Sequence, residues 1–396
     1  MTKILTYNEI DKRQWQALVE QSPTATWFQT PDAYEFYTSV PEEMMPFVVG
    51  VSECKVESVK CKGTKDKVKG ERLEAKGMEN SRADIPSFTP YTLHYTPSLK
   101  GVVVGYVTKE KSTLKQFFTR RAIIIGGPLL AEDISDEALV ALLMAIRQLG
   151  DKAKGKKNSK AEPLASTPYT LHSTPIYIET RNFHDYSKWR HIFEQCGFAY
   201  QPHLNFHVDC TVENILSQMS ESRRRQIKKA IKSGVEITEA QTIEEITTFY
   251  NILFDLYQNK VKTPLFPIEF FTKFHTMGWG KYLLVKYNQK VIGGIMCPVL
   301  NKNTIYEWFV CGLDEEYRNQ YPSVMATYAA IEYANTHGIA KFDFMGAGKP
   351  NEAYGVRDFK ARFGGEQAEH GRYLCVRKPL LYKIGKLAVT LLKKRK

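Results

Sequence analysis

The sequence predicts an α/β chain of two similar domains, each a mixed, twisted sheet flanked by helices. Length is the first reason: 396 residues exceed a typical domain of roughly 150 and leave room for two or three. Composition is the second, because 43% hydrophobic, 12% aromatic and 25% charged residues describe a chain that folds rather than a disordered one. The third is that the order of expected elements runs twice along the chain.

In the first half, alternating or continuous apolar runs predict strands at PFVVGV (46–51), GVVVGYV (101–107) and AIIIGG (122–127). An amphipathic helix from Ser135 to Leu149 follows, then strand IYIE, helix DYSKWRHIFEQC and strand HLNFHVD. A short repeat interrupts this order: FTPYTLHYTPSL (Phe88 to Leu99) returns as STPYTLHSTPIY (Ser166 to Tyr177), each time after a Lys-rich polar run. Two copies cannot stack into a solenoid, so the segments at about 52–100 and 152–174 are expected to be insertions in surface loops, where added length costs little.

The second half reads strand GVEITEA, a helix from Ile243 to Gln258, a shorter helix PIEFFTKFH, and strands KYLLVKY, KVIGGIMCPVL and NTIYEWFVCG. Asn288-Gln289 makes the tight hairpin turn. A helix from Ser323 to His337, closed by Gly338, leads to strand AKFDFMG. Strand, helices, a three-strand meander, helix and strand is the order of an acetyltransferase-like (GNAT-like) sheet. The expected division is therefore 1–208 and 209–377, two tandem GNAT-like domains, with 378–396 as a separate C-terminal helix. In that helix Leu380, Leu381, Ile384, Leu387, Ala388, Leu391 and Leu392 form one apolar stripe, and Lys383, Lys386 and the KKRK end supply cations. The pattern suits a membrane-surface helix or one docked on the protein's own core.

Fifty-five Lys and Arg against 43 Asp and Glu give a net charge of +12, which favours polyanionic partners such as RNA, anionic lipid or phosphorylated substrates. The N-terminus lacks an apolar stretch of signal length and no run approaches the ~20 apolar residues of a membrane span, so a cytoplasmic location is expected. Seven Cys without a C-x-x-C pair make neither a disulfide framework nor a zinc site. His203 and His207 lie on one face of a strand about 13 Å apart, too far to share a metal.

Coenzyme A chemistry would need a Gly-rich turn opening the helix after the meander, where backbone N–H groups hold pyrophosphate. Here the turn reads LDEEYRNQYPSVM, without glycine and with Pro322 removing a donor. The first half offers Gly126-Gly127-Pro128. Cations concentrate elsewhere. In GAGKPNEAYGVRDFKARFGGE, Lys349, Arg357, Lys360 and Arg362 can neutralise phosphate or an oxyanion, and Asp343 just before them can orient a cation or accept a proton. In SESRRRQIKKAIKSGV, Arg224 and Lys228 share a helical face, so like charges oppose one another unless an anion is present.

SRRRQIKKAIKSGV, YPSVMATYAAIEYANTHGIAKFDFMGAG and YGVRDFKARFGG, in this order and spacing, resemble the Fem-type aminoacyltransferases of bacteria, which build peptidoglycan cross-bridges. WFQTPDAYEFY and GGPLL echo the family weakly in the first half. The resemblance implies aminoacyl-tRNA as donor, a nucleotide- or lipid-linked muropeptide amine as acceptor, no metal and no cofactor. It places the acceptor's phosphates on Arg224, with Arg223 and Lys228 beside it. The family's Phe-Lys pair falls on Phe359 and Lys360, with Lys360 implied to stabilise the oxyanion, and Tyr354, Arg357 and Lys349 fall in the substrate-binding region. Two departures are plain: Tyr37 stands where many members carry a Lys, and the coiled-coil arm is missing. An acyl-CoA-dependent N-acyltransferase and a non-catalytic protein that binds an anionic surface stay open as alternatives.

Overall fold

The computed structural model describes residues 1–60, 91–109, 120–151 and 174–394, with the backbone alone at 55–60, 91–96 and 388–394. Two eight-stranded sheets form among these residues. The first contains β1 (Thr2–Leu5), β2 (Met44–Lys60), β3 (Tyr91–Thr108), β4 (Arg121–Gly126), β5 (Leu129–Leu130), β6 (Tyr177–Asn182) and β7 (Ala199–Gln201). Helix α1 (Lys12–Gln21), α2 (Pro31–Ser39), α3 (Asp136–Arg147) and α4 (Arg190–Gln195) flank it. Ser135 caps α3 by accepting from Ala138 N, and Leu139, Leu142, Leu143 and Ile146 give that helix its buried face.

The second sheet holds β8 (Leu204–Asp209), β9 (Val235–Glu239), β10 (Gly280–Tyr287), β11 (Lys290–Leu300), β12 (Thr304–Tyr306), β13 (Phe309–Gly312), β14 (Lys341–Asp343) and β15 (Glu366–Glu369). Its helices are α5 (Glu221–Lys232), α6 (Ile243–Leu256), α7 (Ile268–Thr276), α8 (Pro322–Thr336) and α9 (Gly355–Ala361). Asn288 and Gln289 both take positive φ, 49° and 64°, as the tight β10–β11 turn requires. The single strand expected over 303–312 is two: β11 pairs Val299 with Ile305 and Met296 with Phe309. The one-residue shift between these pairs is a bulge, and it turns Trp308 N towards both Met296 O and Tyr306 O.

The halves exchange strands, which corrects the expected boundary at 208/209. The chain leaves β7 at Pro202-His203 and enters the second sheet as β8, antiparallel to β14 and β15. It leaves β15 at His370-Gly371 and returns to the first sheet as β16 (Arg372–Val376), between β6 and β7. Burial is the reason. Leu204, Phe206 and Val208 share a core with Phe342 and Phe344, while Tyr373 stacks on Phe193 with ring centres 4.0 Å apart in the first half's core. The crossings are tied together, Gly371 N donating to His203 O at 3.2 Å. A third cluster spans the halves: Phe36 meets Phe270 at 4.9 Å, Phe28 meets Trp308 at 5.1 Å and Trp27 meets Phe274 at 5.6 Å.

The first insertion is not a loop graft at 52–100. β2 and β3 stay paired from Met44↔Thr108 out to Lys60↔Tyr91, so the segment begins as a hairpin arm whose base is part of the core. Ser52, Leu99 and Lys100 are buried. Lys100 Nζ pairs with Asp133 at 2.6 Å, Glu53 accepts from the α3 cap Ser135 Oγ at 2.6 Å, and Leu99 N donates to Gln14 at 3.0 Å. The second insertion, apart from Thr174, lies outside the described residues, as do residues 61–90 of the first. Deleting Ser52 to Lys100 is therefore expected to lower the melting temperature by several degrees. Deleting only 61–90, with a two-residue turn joining Lys60 to Tyr91, should leave it within a degree or two by calorimetry.

Candidate active site

Strands β12 and β14 are parallel and stay in register from Thr304↔Lys341 to Tyr306↔Asp343. Their last shared bond is Glu307 N to Asp343 O, 2.9 Å. Beyond it the strands part, because Met345 and Gly346 take φ of 57° and 129° and carry the chain away from β13. The carbonyls of Phe344 and Gly346 lose their neighbouring strand, and Lys360 from α9 takes its place. Its Nζ donates to Phe344 O at 2.8 Å and Gly346 O at 2.9 Å and pairs with Glu307 Oε1 at 2.9 Å. Thr327 Oγ1 on α8 donates to the other Glu307 oxygen at 3.3 Å. Burial raises the Glu307 carboxyl pKa despite the nearby ammonium. An ammonium has three protons, so Lys360 has committed all of them.

Next to this pair, Arg223 on α5 is 2% exposed. Its guanidinium lies 4.6 Å from the Phe359 ring centre and 4.3 Å from that of Phe363 and donates to Phe359 O at 3.0 Å and Gln226 Oε1 at 2.8 Å. Burial, with Arg362 nearby, pushes its pKa down to about 10. Arg223, Gln226, Asp314, Ser323, Phe359 and Arg362 line a cavity of about 440 Å³ at the start of α8. That helix end is already engaged: Asp314 accepts from Ser323 N at 3.1 Å and Ser323 Oγ at 2.5 Å, and Pro322 holds the first position. Half-buried Arg224 donates through Nη1 to Met219 O at 2.7 Å and braces the approach to α5. Lys228 is exposed.

The other predicted residues serve the fold around the gap. Asp343 is 1% exposed; it accepts from Asn205 Nδ2 at 2.8 Å and Met345 N at 2.6 Å, with His207 Nε2 3.1 Å from its second oxygen. Burial alone would raise its pKa, but His207, Asn205 and the amide hold it below the usual carboxylate range. Asp343 thus braces β14 against β8 instead of accepting a proton beside Lys360. Arg357 donates to Ala347 O at 3.0 Å and Pro350 O at 3.4 Å, and also to Lys349 O, so it clamps the 346–350 loop. Lys349 pairs with Glu352 at 2.8 Å, and Tyr354, 44% exposed, packs over Gly348. Sequence reasoning missed Glu307 and the Asp343–His207 pair. A single acid in the apolar strand NTIYEWFVCG was the available signal for Glu307.

Residues 217–360 match the model of the acetyltransferase (GNAT) domain. That segment is a GNAT-type acyltransferase domain. Among solved structures it is similar to FemX, at a TM-score of 0.60 and 14% identity over 96% of this chain and 99% of that one. It is similar to a tandem GNAT protein from the clavulanic acid biosynthesis pathway, at a TM-score of 0.50 and 9% identity over 94% and 98%. L-PGS from Bacillus licheniformis aligns at a TM-score of 0.47 and 12% identity over 73% and 86%. The first two likenesses show the tandem fold. No curated protein matches the sequence.

In this acyltransferase the Lys360–Glu307 pair sits in the wedge between the parting strands. Removing one partner of a buried pair leaves an uncompensated charge and costs about 3–5 kcal/mol. Lys360→Ala is therefore expected to lower the melting temperature of the acyltransferase markedly. Lys360→Met combined with Glu307→Gln should recover the part of that loss due to the unpaired Glu307 charge, though not the part due to the Phe344 and Gly346 carbonyls, which thermal unfolding of the three proteins will check.

Proposed function

We propose that this acyltransferase moves an aminoacyl group from aminoacyl-tRNA to an amine of a peptidoglycan precursor. The observation that carries the reading is the start of α8, where the pyrophosphate of coenzyme A would need backbone donors. Asp314 takes the Ser323 amide and hydroxyl there, and Pro322 has no N–H to give. A pyrophosphate would meet a carboxylate in its place. The adjoining cavity is lined by Arg223, Arg362 and the Phe359 ring as well as by Asp314 and Asp358, and its cations beside an aromatic ring are groups that a tRNA 3′ end could use away from those carboxylates. The Fem-type resemblance of the same segments supports this choice of donor.

In the reaction the acceptor amine attacks the ester carbonyl, the carbon–nitrogen bond forms, and the tRNA hydroxyl leaves with the proton the amine gives up. An aminoacyl ester is already activated, so positioning and oxyanion stabilisation supply most of the rate. Lys360 reaches the oxyanion by exchanging its bond to Gly346 O for one to the substrate, while Phe344 O and Glu307 keep the ammonium in place. The decisive experiment offers purified protein charged tRNA or acyl-CoA, each with a muropeptide precursor. Transfer from charged tRNA is expected, with no saturable acetyl-CoA binding in the micromolar range by calorimetry. Transfer from acyl-CoA alone would replace this reading. In the stability-restored Lys360→Met, Glu307→Gln protein, turnover should stay ~10²-fold or more below wild type, the scale of one oxyanion donor. Recovery of turnover would assign Lys360 a purely structural role.

Peripheral contact with an anionic membrane face belongs to the same proposal. Helix α10 (Pro379–Lys394) rests on the protein through Tyr382, 5.3 Å from Tyr177. Leu380, Ile384 and Leu387 are 77%, 51% and 61% exposed, so this part of the apolar stripe is not spent on the protein's own core. No helix among the described residues is long and apolar enough to cross a membrane. With Lys383, Lys386 and the KKRK end, each cation near anionic lipid adds roughly 1 kcal/mol. The protein should sediment with anionic vesicles, lose that binding as salt rises, and lose it on truncation after Pro379. Equal sedimentation of both forms would remove the membrane from the proposal.

A further inference from the structure

We propose that Arg121, Arg181 and Arg372 on the first sheet form a basin that seats a phosphate or diphosphate group. The three come from neighbouring strands β4, β6 and β16. Arg181 and Arg372 are direct cross-strand partners, an arrangement in which like charges destabilise a sheet. Arg121 stands opposite Tyr177 on the other side of β6 and donates to its hydroxyl at the long distance of 3.5 Å.

One carboxylate faces the three guanidinium groups. Glu179 Oε1 lies 2.6 Å from Arg372 Nη1 and 3.4 Å from Arg181 Nε, and Glu179 is held below the usual carboxylate range because the three arginines outweigh its burial. His203 adds no charge: burial and Arg372 push its pKa down to about 4, and it accepts from Arg372 Nη2 at 2.9 Å. Two positive charges are left over, and Arg372 Nε is buried without a partner. The side chains of Arg181 and Arg372 remain 33% and 28% exposed, so an incoming anion can reach them.

This surplus sits on a rigid sheet, where guanidinium groups match phosphate oxygens in pairs. Burial raises the pKa of the neighbouring Tyr106 hydroxyl, and Arg121 and Arg181 both act against that rise. Tyr382 of α10 packs on Tyr177 at the same place, setting the basin beside the helix proposed to meet lipid. The basin stands on its own geometry. That it holds the phosphate-linked carrier of the acceptor rests on the proposed function.

The test is thermal shift and calorimetry with inorganic pyrophosphate on the full chain. Wild type is expected to bind saturably and gain stability. Arg121→Gln with Arg181→Gln should lose affinity at least tenfold, and Lys12→Gln with Lys290→Gln, which removes equal charge from the exposed surface, should bind as wild type does. Without ligand, Arg181→Gln should melt no lower than wild type, because it removes a like-charge pair. A nucleoside diphosphate and a short-chain phosphatidic acid separate the sources: binding of the first supports a soluble carrier and of the second a lipid headgroup. No saturable binding of any probe, or equal affinity in wild type and the basin variant, overturns the proposal. Pyrophosphate binding with no aminoacyl transfer would sink the donor assignment and leave the basin standing.

Discussion

The second half is organised around one gap, the place where β12 and β14 stop pairing. Two parallel strands that diverge leave backbone carbonyls without donors, and a buried carbonyl without a partner costs on the order of 1–3 kcal/mol. Lys360 resolves this for Phe344 and Gly346 at once, but it brings a charge into the interior, which Glu307 must balance. Thr327 then fixes Glu307, and α8 and α9 are thereby held at a set distance from the sheet. Under the proposed function, the same ammonium that completes the fold also serves the oxyanion. Fold and chemistry compete for three protons, and a substrate must displace one carbonyl to be served. Gly346 makes that exchange feasible, since its backbone already departs from the strand.

Strand exchange gives the two halves a common fate. The second sheet is built from one contiguous stretch, β8 to β15, but the first needs β16, so it is complete only once the whole second sheet has been threaded between β7 and β16. The two crossings lie side by side, with Asn182 Nδ2 donating to His370 O at 3.1 Å. The aromatic seam of Trp27, Phe28 and Phe36 against Phe270, Phe274 and Trp308 reinforces this. Aromatic residues bury large areas at little cost in conformational freedom, which explains why WFQTPDAYEFY is so rich in them. The seam also fixes where the Arg basin lies relative to the 346–350 loop, whose Gly346 approaches the His203 ring.

Much of this was legible in the sequence, and the illegible parts have a physical pattern. Periodicity revealed the meander, the Asn288-Gln289 turn and the amphipathic face of α3, because each is set by residues adjacent in the chain. The strand exchange was not legible: RYLCV alternates as well in either sheet, and only the company of Phe193 and Thr180 decides. The insertion at 52–100 looked like a graft because the Lys-rich run masks strands that continue beneath it. At the site, Arg223, Arg357 and Lys360 were visible as cations near an aromatic pair. Their spacing could not say that Arg357 turns inward to backbone carbonyls, that Arg223 rather than Arg224 stacks on Phe359, or that Glu307, more than 50 positions away, neutralises Lys360.

The +12 net charge therefore divides into cations with different duties. Lys360 and Arg357 are engaged by backbone carbonyls, and by one carboxylate in the case of Lys360, so they stabilise the fold. The uncompensated charge collects at Arg121, Arg181 and Arg372, on α5 and at the C-terminal helix. Those three regions differ in stiffness: the first is clamped in a sheet, the second lies on a helix surface, and the third is carried on a helix anchored through Tyr382. A rigid array of arginines selects geometry, whereas flexible lysines near a surface supply long-range attraction that salt screens. An acceptor with a phosphate-linked carrier would be drawn in by the last and oriented by the first. Under the proposed function, the reacting amine depends for its position on the anion at its far end, a route by which binding energy remote from the chemistry is converted into rate.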